Sequence, residues 1–181
     1  MDFYKKAFFA ALLVFMLSCE KTGTSAAAVK GPKWLSFNQG YELALKEKKH
    51  LLVDFYADWC RWCKTMETQT FAKPAIISKL DADYIIARIH VDKPEKIQFK
   101  GMNMSSEEFA GGMGIEGLPT LMFFDKNGEA LTKIPGFLDE KTMLPILDYI
   151  SSECYNKQVS FDEYVKNNAL CRADKQLKYA E

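Results

Sequence analysis

The chain has 181 residues, with 24 basic and 24 acidic side chains, so its formal net charge at pH 7 is zero. This balance gives no electrostatic reason to expect nucleic acid as a partner. The length suits one compact domain with its own hydrophobic core, and the sequence shows neither an internal repeat nor a low-complexity tract.

Residues 1–18 are typical of a signal peptide. A basic start precedes an apolar run over 7–17, which is too short to span a bilayer but suits a signal-peptide core. Cys19 follows this run behind one small residue, Ser18, and resembles the cleavage site of bacterial lipoproteins. Lipid there would anchor the protein to a membrane, with 19–31 as a flexible tether. The alternative is ordinary cleavage after the alanines at 26–28. Either reading predicts an exported, periplasmic protein, and the first a membrane-anchored lipoprotein.

Beyond the tether, apolar runs and capping signals alternate, which predicts an α/β protein. The segment 92–103 is expected to be irregular. In chain order, the predicted elements are a short strand or aromatic turn at 34–37, a helix at 41–49, a strand at 51–57, a helix at 60–71, a helical segment at 74–80, a strand at 84–91, a helix from 105 to about 111, a strand at 120–124, a hairpin turn at 125–128, a strand at 129–134, a helix at 139–150 that Pro145 bends or delays, and an amphipathic piece at 159–168.

The most informative motif is Trp59-Cys60-Arg61-Trp62-Cys63, between a predicted buried strand and a predicted helix. Cys60 is expected at the helix N-terminus, where free N–H groups and the helix dipole stabilise a thiolate. Cys63 lies one turn further, close enough to close a small disulfide ring. The pair is therefore predicted to exchange electrons with other disulfides. Arg61 either lowers the pKa of Cys60 further or faces solvent.

The chain contains five cysteines. If Cys19 is lipidated or removed, and if Cys60 pairs with Cys63, two cysteines remain. These are Cys154 and Cys171. In an oxidising compartment these two are predicted to form a structural disulfide, which the chain-entropy argument values at ~3 kcal/mol. The alternative is two free thiols.

Asp54 stands inside the apolar strand at 51–57. A buried carboxylate is costly and tends to have a raised pKa, so Asp54 is either functional or bonded to a neighbouring side chain. Arg88, in the next strand, either pairs with Asp54 or points outward. His50 and His90 are expected to be solvated or packed.

Three separated motifs resemble the thioredoxin superfamily over roughly 51–150: the stretch 53–64 around the cysteines, Gly-Leu-Pro-Thr at 117–120, and 123–128 followed by Pro-Gly-Phe at 135–137. The chain is most similar to exported members, the C-terminal domain of DsbD-type reductases and SoxW-like thioredoxins.

The resemblance implies a thioredoxin fold, with a central mixed β-sheet flanked by helices. It places an insertion at 93–116, ahead of the strand that follows the cis-proline. The expected thioredoxin-like domain covers 32–155, and 156–181 forms a short helical extension.

The resemblance also implies roles for individual residues. Cys60, exposed at the helix start, attacks a substrate disulfide, and Cys63 resolves the mixed disulfide. Asp54 relays a proton to Cys63. Pro119 is cis, and Leu118 before it offers backbone groups to an extended substrate segment.

Trp59, Arg61 and Trp62 complete the expected substrate-binding surface, although packing is the more expected role for Trp59. The implied partners are substrate proteins with disulfides and a membrane thiol–disulfide electron donor. The protein is expected to be a monomer without a cofactor or resident metal.

The leading function is an exported thiol–disulfide oxidoreductase that runs as a reductase. An oxidase or isomerase on the same fold is the first alternative. A copper-delivery module, using Cys60, Cys63 and a methionine, is the second, because thioether and thiolate ligands suit copper(I). The candidate methionines are Met102, Met104 and Met113, for which filling gaps in the core is the favoured role.

Overall fold

The computed structural model describes residues 31–171. The predicted leader at 1–18, Cys19 and nearly all of the predicted tether lie outside the described residues, as do residues 172–181 of the expected extension. Of the helices within 31–171, none is long and apolar enough to cross a membrane.

The described chain alternates helices and strands. Its elements are β1 (Leu35–Ser36), α1 (Phe37–Glu47), β2 (His50–Tyr56), α2 (Arg61–Met66), a π-helical turn (Glu67–Phe71), α3 (Pro74–Asp83), β3 (Tyr84–His90), β4 (Lys96–Phe99), β5 (Met102–Ser105), α4 (Ser106–Gly112), β6 (Thr120–Phe124), β7 (Ala130–Pro135), α5 (Glu140–Ser151), a 3₁₀ turn (Cys154–Lys157) and α6 (Phe161–Lys166).

Five strands form one mixed sheet in the order β1-β3-β2-β6-β7. β1 and β2 both run parallel to β3, whereas β6 is antiparallel to β2 and β7 is antiparallel to β6. The buried apolar runs at 51–53 and 121–124 fill the centre of this sheet. The predicted mixed sheet flanked by helices is thereby confirmed.

Each face of the sheet carries its own hydrophobic layer. On one face Phe37 of α1, Phe99 of β4 and Phe109 of α4 pack together. On the other, Met66 of α2 packs with residues of α3 and α5 such as Leu147. β2, which leads into the cysteine loop, therefore lies between two packed layers.

The prediction of an irregular segment at 92–103 is wrong, because β4 and β5 pair there as an antiparallel hairpin. Ile97 and Phe99 alternate with exposed residues and are buried against the core. Lys100 and Gly101 form the connecting turn, both with positive φ, as in the two-residue turns that match strand twist.

Two predicted helices differ in where they start or how they continue. α1 begins at Phe37, four residues early, because Ser36 and Gln39 form a reciprocal capping box. The predicted helix at 60–71 is regular only to Met66 and then continues as the π-helical turn.

Of the two effects expected of Pro145, a bend or a late start of the helix, the late start is wrong. α5 begins at Glu140, because the Asp139 carboxylate accepts a hydrogen bond from the Thr142 N–H at 2.9 Å. This cap supports the first turn ahead of Pro145, which lies inside the helix.

Candidate active site

Cys60 and Cys63 form a disulfide at the point where β2 gives way to α2. Their Cα atoms lie 5.3 Å apart, within the usual range for disulfides. Cys60 is the N-cap of α2, and its Sγ accepts a hydrogen bond from the Cys63 N–H at 3.0 Å. The sulfur therefore meets an otherwise unpaired helix donor, an interaction that favours negative charge on it.

The pair is more enclosed than expected. Cys60 is 4% exposed and Cys63 is 8% exposed, so the expectation that Cys60 lies exposed at the helix start is wrong for this disulfide state. Leu118 and Val91, from the loops ahead of β6 and after β3, pack against the cluster that the two cysteines form with Ala57. A substrate sulfur must therefore approach Cys60 between covering side chains.

The peptide bond between Leu118 and Pro119 is cis, as the resemblance implies. Pro119 is buried, and its carbonyl oxygen accepts a hydrogen bond from the Gly136 N–H at 2.8 Å. The Thr120 hydroxyl donates to the Gly117 carbonyl oxygen at 2.7 Å. These bonds fix the backbone of the loop that covers the cysteines.

The tryptophans that flank the cysteines are exposed, Trp59 by 69% and Trp62 by 58%. The expectation that Trp59 packs is therefore wrong: its indole Nε1–H donates to Asp92 Oδ2 at 2.5 Å, which holds the ring at the surface. The Trp62 ring lies 5.6 Å from that of Phe137. Arg61 is exposed and forms no ion pair with a residue in 31–171, which favours the solvent-facing alternative.

Asp54 lies on β2, six residues before Cys60, and is 2% exposed. Arg88 Nε donates to its Oδ2 at 3.0 Å, so the paired alternative for Arg88 holds. Oδ1 has no hydrogen-bond partner among the described residues. Burial raises the pKa of Asp54 to about 6, although the Arg88 charge acts in the opposite direction.

Arg88 is shared between two carboxylates, since its Nη2 also donates to Glu67 Oε2. Its guanidinium lies 4.2 Å from the ring centroid of Trp34 and 5.0 Å from that of Tyr56. Sequence reasoning missed Glu67 and Trp34. The spacing of Glu67, one helical turn after Cys63, was a signal that could have found it.

Both histidines are packed. His90 is 8% exposed; its Nδ1 accepts from the Asp92 N–H at 3.3 Å, and its Nε2 lies 3.2 Å from Asp58 Oδ2. His50 Nε2 lies 2.9 Å from the Tyr155 hydroxyl, and burial lowers the pKa of this histidine.

The methionines of the copper hypothesis belong to the scaffold rather than to the cysteine pair. Met104 and Met113 pack against the hydrophobic core, whereas Met102 is exposed on β5. Within residues 31–171, no group of three His, Cys, Asp or Glu side chains is placed to hold a metal ion. The packing of Met104 and Met113 favours the gap-filling role.

Cys154 and Cys171 are joined by a disulfide in the structure, with Cα atoms 5.5 Å apart. Both are buried and pack against Tyr164 of α6. The Lys157 ammonium donates to the Cys171 carbonyl oxygen at 2.6 Å. These contacts hold the end of the described chain against the 3₁₀ turn that follows α5.

A dithiol pair at a helix start, beside a cis-proline loop and on the same scaffold as a buried carboxylate, is suited to thiol–disulfide exchange. The class of protein defined here is a thiol–disulfide oxidoreductase with a thioredoxin fold. Residues 37–151 match the family model of the thioredoxin-like domain, and the chain belongs to that family.

Relatives with established names agree with this class. The chain is 30% identical over 137 residues to the thiol:disulfide interchange protein DsbD of Actinobacillus pleuropneumoniae, a match that covers 71% of this chain and 22% of that protein. It is 35% identical over 88 residues to the protein disulfide isomerase-like 2-2 of Oryza sativa, covering 49% of this chain and 20% of the relative. The chain thus spans about a fifth of the length of these relatives.

Solved structures agree on the fold. A thioredoxin-fold protein from Helicobacter pylori superposes with a TM-score of 0.58 at 18% identity, over 72% of this chain and 87% of its own. A thioredoxin from Thermus thermophilus gives 0.55 at 24% identity, over 66% of this chain and 87% of its own.

Proposed function

We propose that this protein is an exported reductase, which takes electrons from a membrane thiol–disulfide donor and passes them to disulfides of substrate proteins. The observation that carries the proposal is the bond from the Cys63 N–H to Cys60 Sγ at 3.0 Å. The donor is a backbone N–H and not a cationic side chain. A thiolate with modest stabilisation gives a more reducing pair than a strongly stabilised one.

In the proposed reaction, the Cys60 thiolate attacks one sulfur of a substrate disulfide. The substrate S–S bond breaks, a mixed disulfide with Cys60 forms, and the departing substrate thiolate takes up a proton. Cys63 then attacks Cys60 Sγ and releases the second substrate thiolate. The substrate gains two electrons, and the Cys60–Cys63 disulfide seen in the structure is the oxidised product.

Cys63 must lose its proton before it attacks, and Asp54 is the proposed acceptor. Its pKa of about 6 leaves the carboxylate mostly ionised at neutral pH yet still basic enough to take up a proton transiently. Arg88, which bonds Asp54, and Glu67, which bonds Arg88, act as positioning residues.

Substrate binding is assigned to the surface around the cysteines. The backbone of Leu118, ahead of the cis-proline Pro119, pairs with an extended substrate segment. The exposed rings of Trp59 and Trp62, which precede and follow Cys60 in the sequence, offer apolar contact area.

Export rests on the N-terminal sequence and on the similarity to DsbD. The proposed leader ends at residue 18, and Cys19 carries the lipid that anchors the domain at a periplasmic membrane surface. Labelled palmitate should enter the wild-type chain and not the C19S variant. A mature protein whose mass corresponds to cleavage after residue 28 would contradict the anchor.

The decisive experiment is the reduction potential of the Cys60–Cys63 pair, by equilibration with glutathione. A value near that of thioredoxin, about −270 mV, supports the reductase. A value near about −120 mV would overturn it in favour of a disulfide donor.

The proposed intermediate is tested separately. A C63S variant keeps the attacking thiol and lacks the resolving one, so it should accumulate substrate proteins as mixed disulfides that dithiothreitol releases. A C60S variant is the matched control and should trap none. Equal trapping by both variants would contradict the assigned order of attack.

A further inference from the structure

A groove of about 670 Å³ runs beside the cysteine pair. It is lined by Trp59, by residues 91–94 of the loop after β3, by the start of α4 and by the loop at 115–118. This volume lies within the about 300–1,000 Å³ typical of sites that bind ligands.

One wall of the groove, at the start of α4, belongs to the insertion that separates β3 from the cis-proline. Ser105 and Glu108 form a capping box at the start of α4. The Ser106 hydroxyl donates to the Lys93 carbonyl oxygen at 2.7 Å, and its N–H donates to the Glu95 carbonyl oxygen at 3.0 Å. Phe109 of α4 is buried in the core. The wall is therefore anchored at several points and presents a preformed shape.

The groove continues from the site of disulfide exchange. Leu118 and Val91 line the groove and also pack against the buried cluster that Cys60 and Cys63 form with Ala57. A protein segment joined to Cys60 through a disulfide needs only a few residues to reach the groove, because an extended chain advances about 3.3 Å per residue.

The charge of the groove is uneven. Ala110, Ile115 and Leu118 contribute apolar surface, whereas Glu107 and Glu116 are exposed on the rim. Neither glutamate forms an ion pair with a residue in 31–171. The basic lining residue, Lys93, is already engaged, since its Nζ lies 3.0 Å from Asp58 Oδ2. The rim is left with negative charge that is not neutralised within the described chain.

We propose that this groove is a specificity subsite for the substrate segment that flanks the reactive cysteine. The occupant is an extended stretch of a substrate protein with an apolar side chain for the groove surface and a Lys or Arg for Glu107 and Glu116. The inference rests on the disulfide exchange proposed above and adds the chemistry of the preferred substrate. Complementary charge of this kind raises association rates and rejects segments of the same charge.

The test uses peptides with one cysteine, capped as a mixed disulfide with 2-mercaptoethanol. The peptides contain Leu near the cysteine and differ only in carrying Lys or Glu at each of the flanking positions in turn. The reduced chain is mixed with each peptide, and the second-order rate constant is measured. At the best position, the Lys peptide should react at least about threefold faster than the Glu peptide, and the ratio should fall as salt is added.

The ratio of the two rate constants is compared between variants, so each protein is its own reference for folding and thiol reactivity. An E107Q/E116Q variant should bring the ratio close to one. E42Q is the matched control, because Glu42 is an exposed glutamate on α1 outside the groove, and it should keep the wild-type ratio.

A wild-type ratio near one at every position would overturn the subsite, as would an unchanged ratio in E107Q/E116Q. Failure of the reduced chain to react with any peptide, or with an uncharged small disulfide, would instead contradict the proposed exchange function.

Discussion

Arg88 Nε donates a hydrogen bond to Asp54 Oδ2 at 3.0 Å, across two parallel strands whose register sets these residues side by side. The bond neutralises one side of the carboxyl group. Oδ1 has no partner among the described residues, and Glu67 competes for the same guanidinium. Burial therefore prevails over the attraction of Arg88, and the pKa of Asp54 is raised to about 6.

The D54N variant is expected to be more stable than the wild type at neutral pH. Below pH 3.8, the ordinary pKa, Asp54 is protonated in both folded and unfolded chains, and the variants differ little. Between pH 3.8 and about 6 the unfolded chain releases this proton while the folded chain keeps it, so the wild type loses stability. Above pH 6 the difference is complete, on the order of 2–3 kcal/mol.

Urea unfolding of the oxidised proteins across pH 4–8 measures this difference. D81N is the control, because Asp81 is exposed on α3. A D54N advantage that is the same at pH 4.5 and pH 8 would show that the carboxyl group does not titrate in this range.

Replacing Arg88 with Met should destabilise the protein most at alkaline pH. The change leaves the Asp54 and Glu67 carboxylates without their shared cation, at a cost of about 2–4 kcal/mol at pH 8, less than for a fully buried pair because the Arg88 side chain is 20% exposed. At lower pH Asp54 takes up a proton, and the cost shrinks. In a D54N background the pH dependence of the R88M effect should largely disappear. If it persists, another group is responsible.

The bond between Trp59 and Asp92 should be visible by NMR. In D92A, the Trp59 indole N–H loses its carboxylate acceptor, and its proton resonance should move upfield. D92N keeps a neutral acceptor and should give an intermediate shift, since bonds to ionised acceptors are stronger. Because Trp59 borders Cys60, reduction of a protein disulfide by D92A should slow about two- to fivefold. An indole resonance that does not move would contradict the bond.

The disulfide between Cys154 and Cys171 closes a loop with a sequence separation of 17. Constraining a loop of this size contributes about 3 kcal/mol to the free energy of unfolding. The C154S/C171S variant should lose about this much relative to the oxidised wild type, as measured by urea unfolding. In dithiothreitol the two proteins should be nearly equally stable. Equal stability without reductant would favour the alternative of two free thiols.

Local patterns predicted most of the sheet and the position of the cysteine pair. Buried apolar runs identify β2, β3 and β6 because every residue in them is excluded from water, or nearly so. The hairpin of β4 and β5 was missed, although the alternation of Ile97 and Phe99 was a usable signal. Lys100-Gly101 is a weaker turn signal than Asn-Gly.

Contacts that join distant segments were harder to foresee. The placement of Trp59 at the surface depends on Asp92, and the setting of Arg88 depends on Trp34 and Glu67. The local sequence around each of these residues is compatible with several environments. Their side chains come into contact only because the sheet and the π-helical turn bring distant segments together.

The side chain of Asn38 in α1 hydrogen-bonds to backbone groups along the edge of β4. Its Nδ2 donates to the Lys96 carbonyl oxygen, and its Oδ1 accepts from the Gln98 N–H, both at 2.8 Å. These are the bonds that a neighbouring strand would make to the same two backbone groups. The Asn38 amide thus takes the place of a third strand at these two positions. It protects an open strand edge that could otherwise pair with a strand of another protein. The groove beside the cysteines can stay open to an extended substrate segment, while the edge of the β4–β5 hairpin is protected from pairing with other chains.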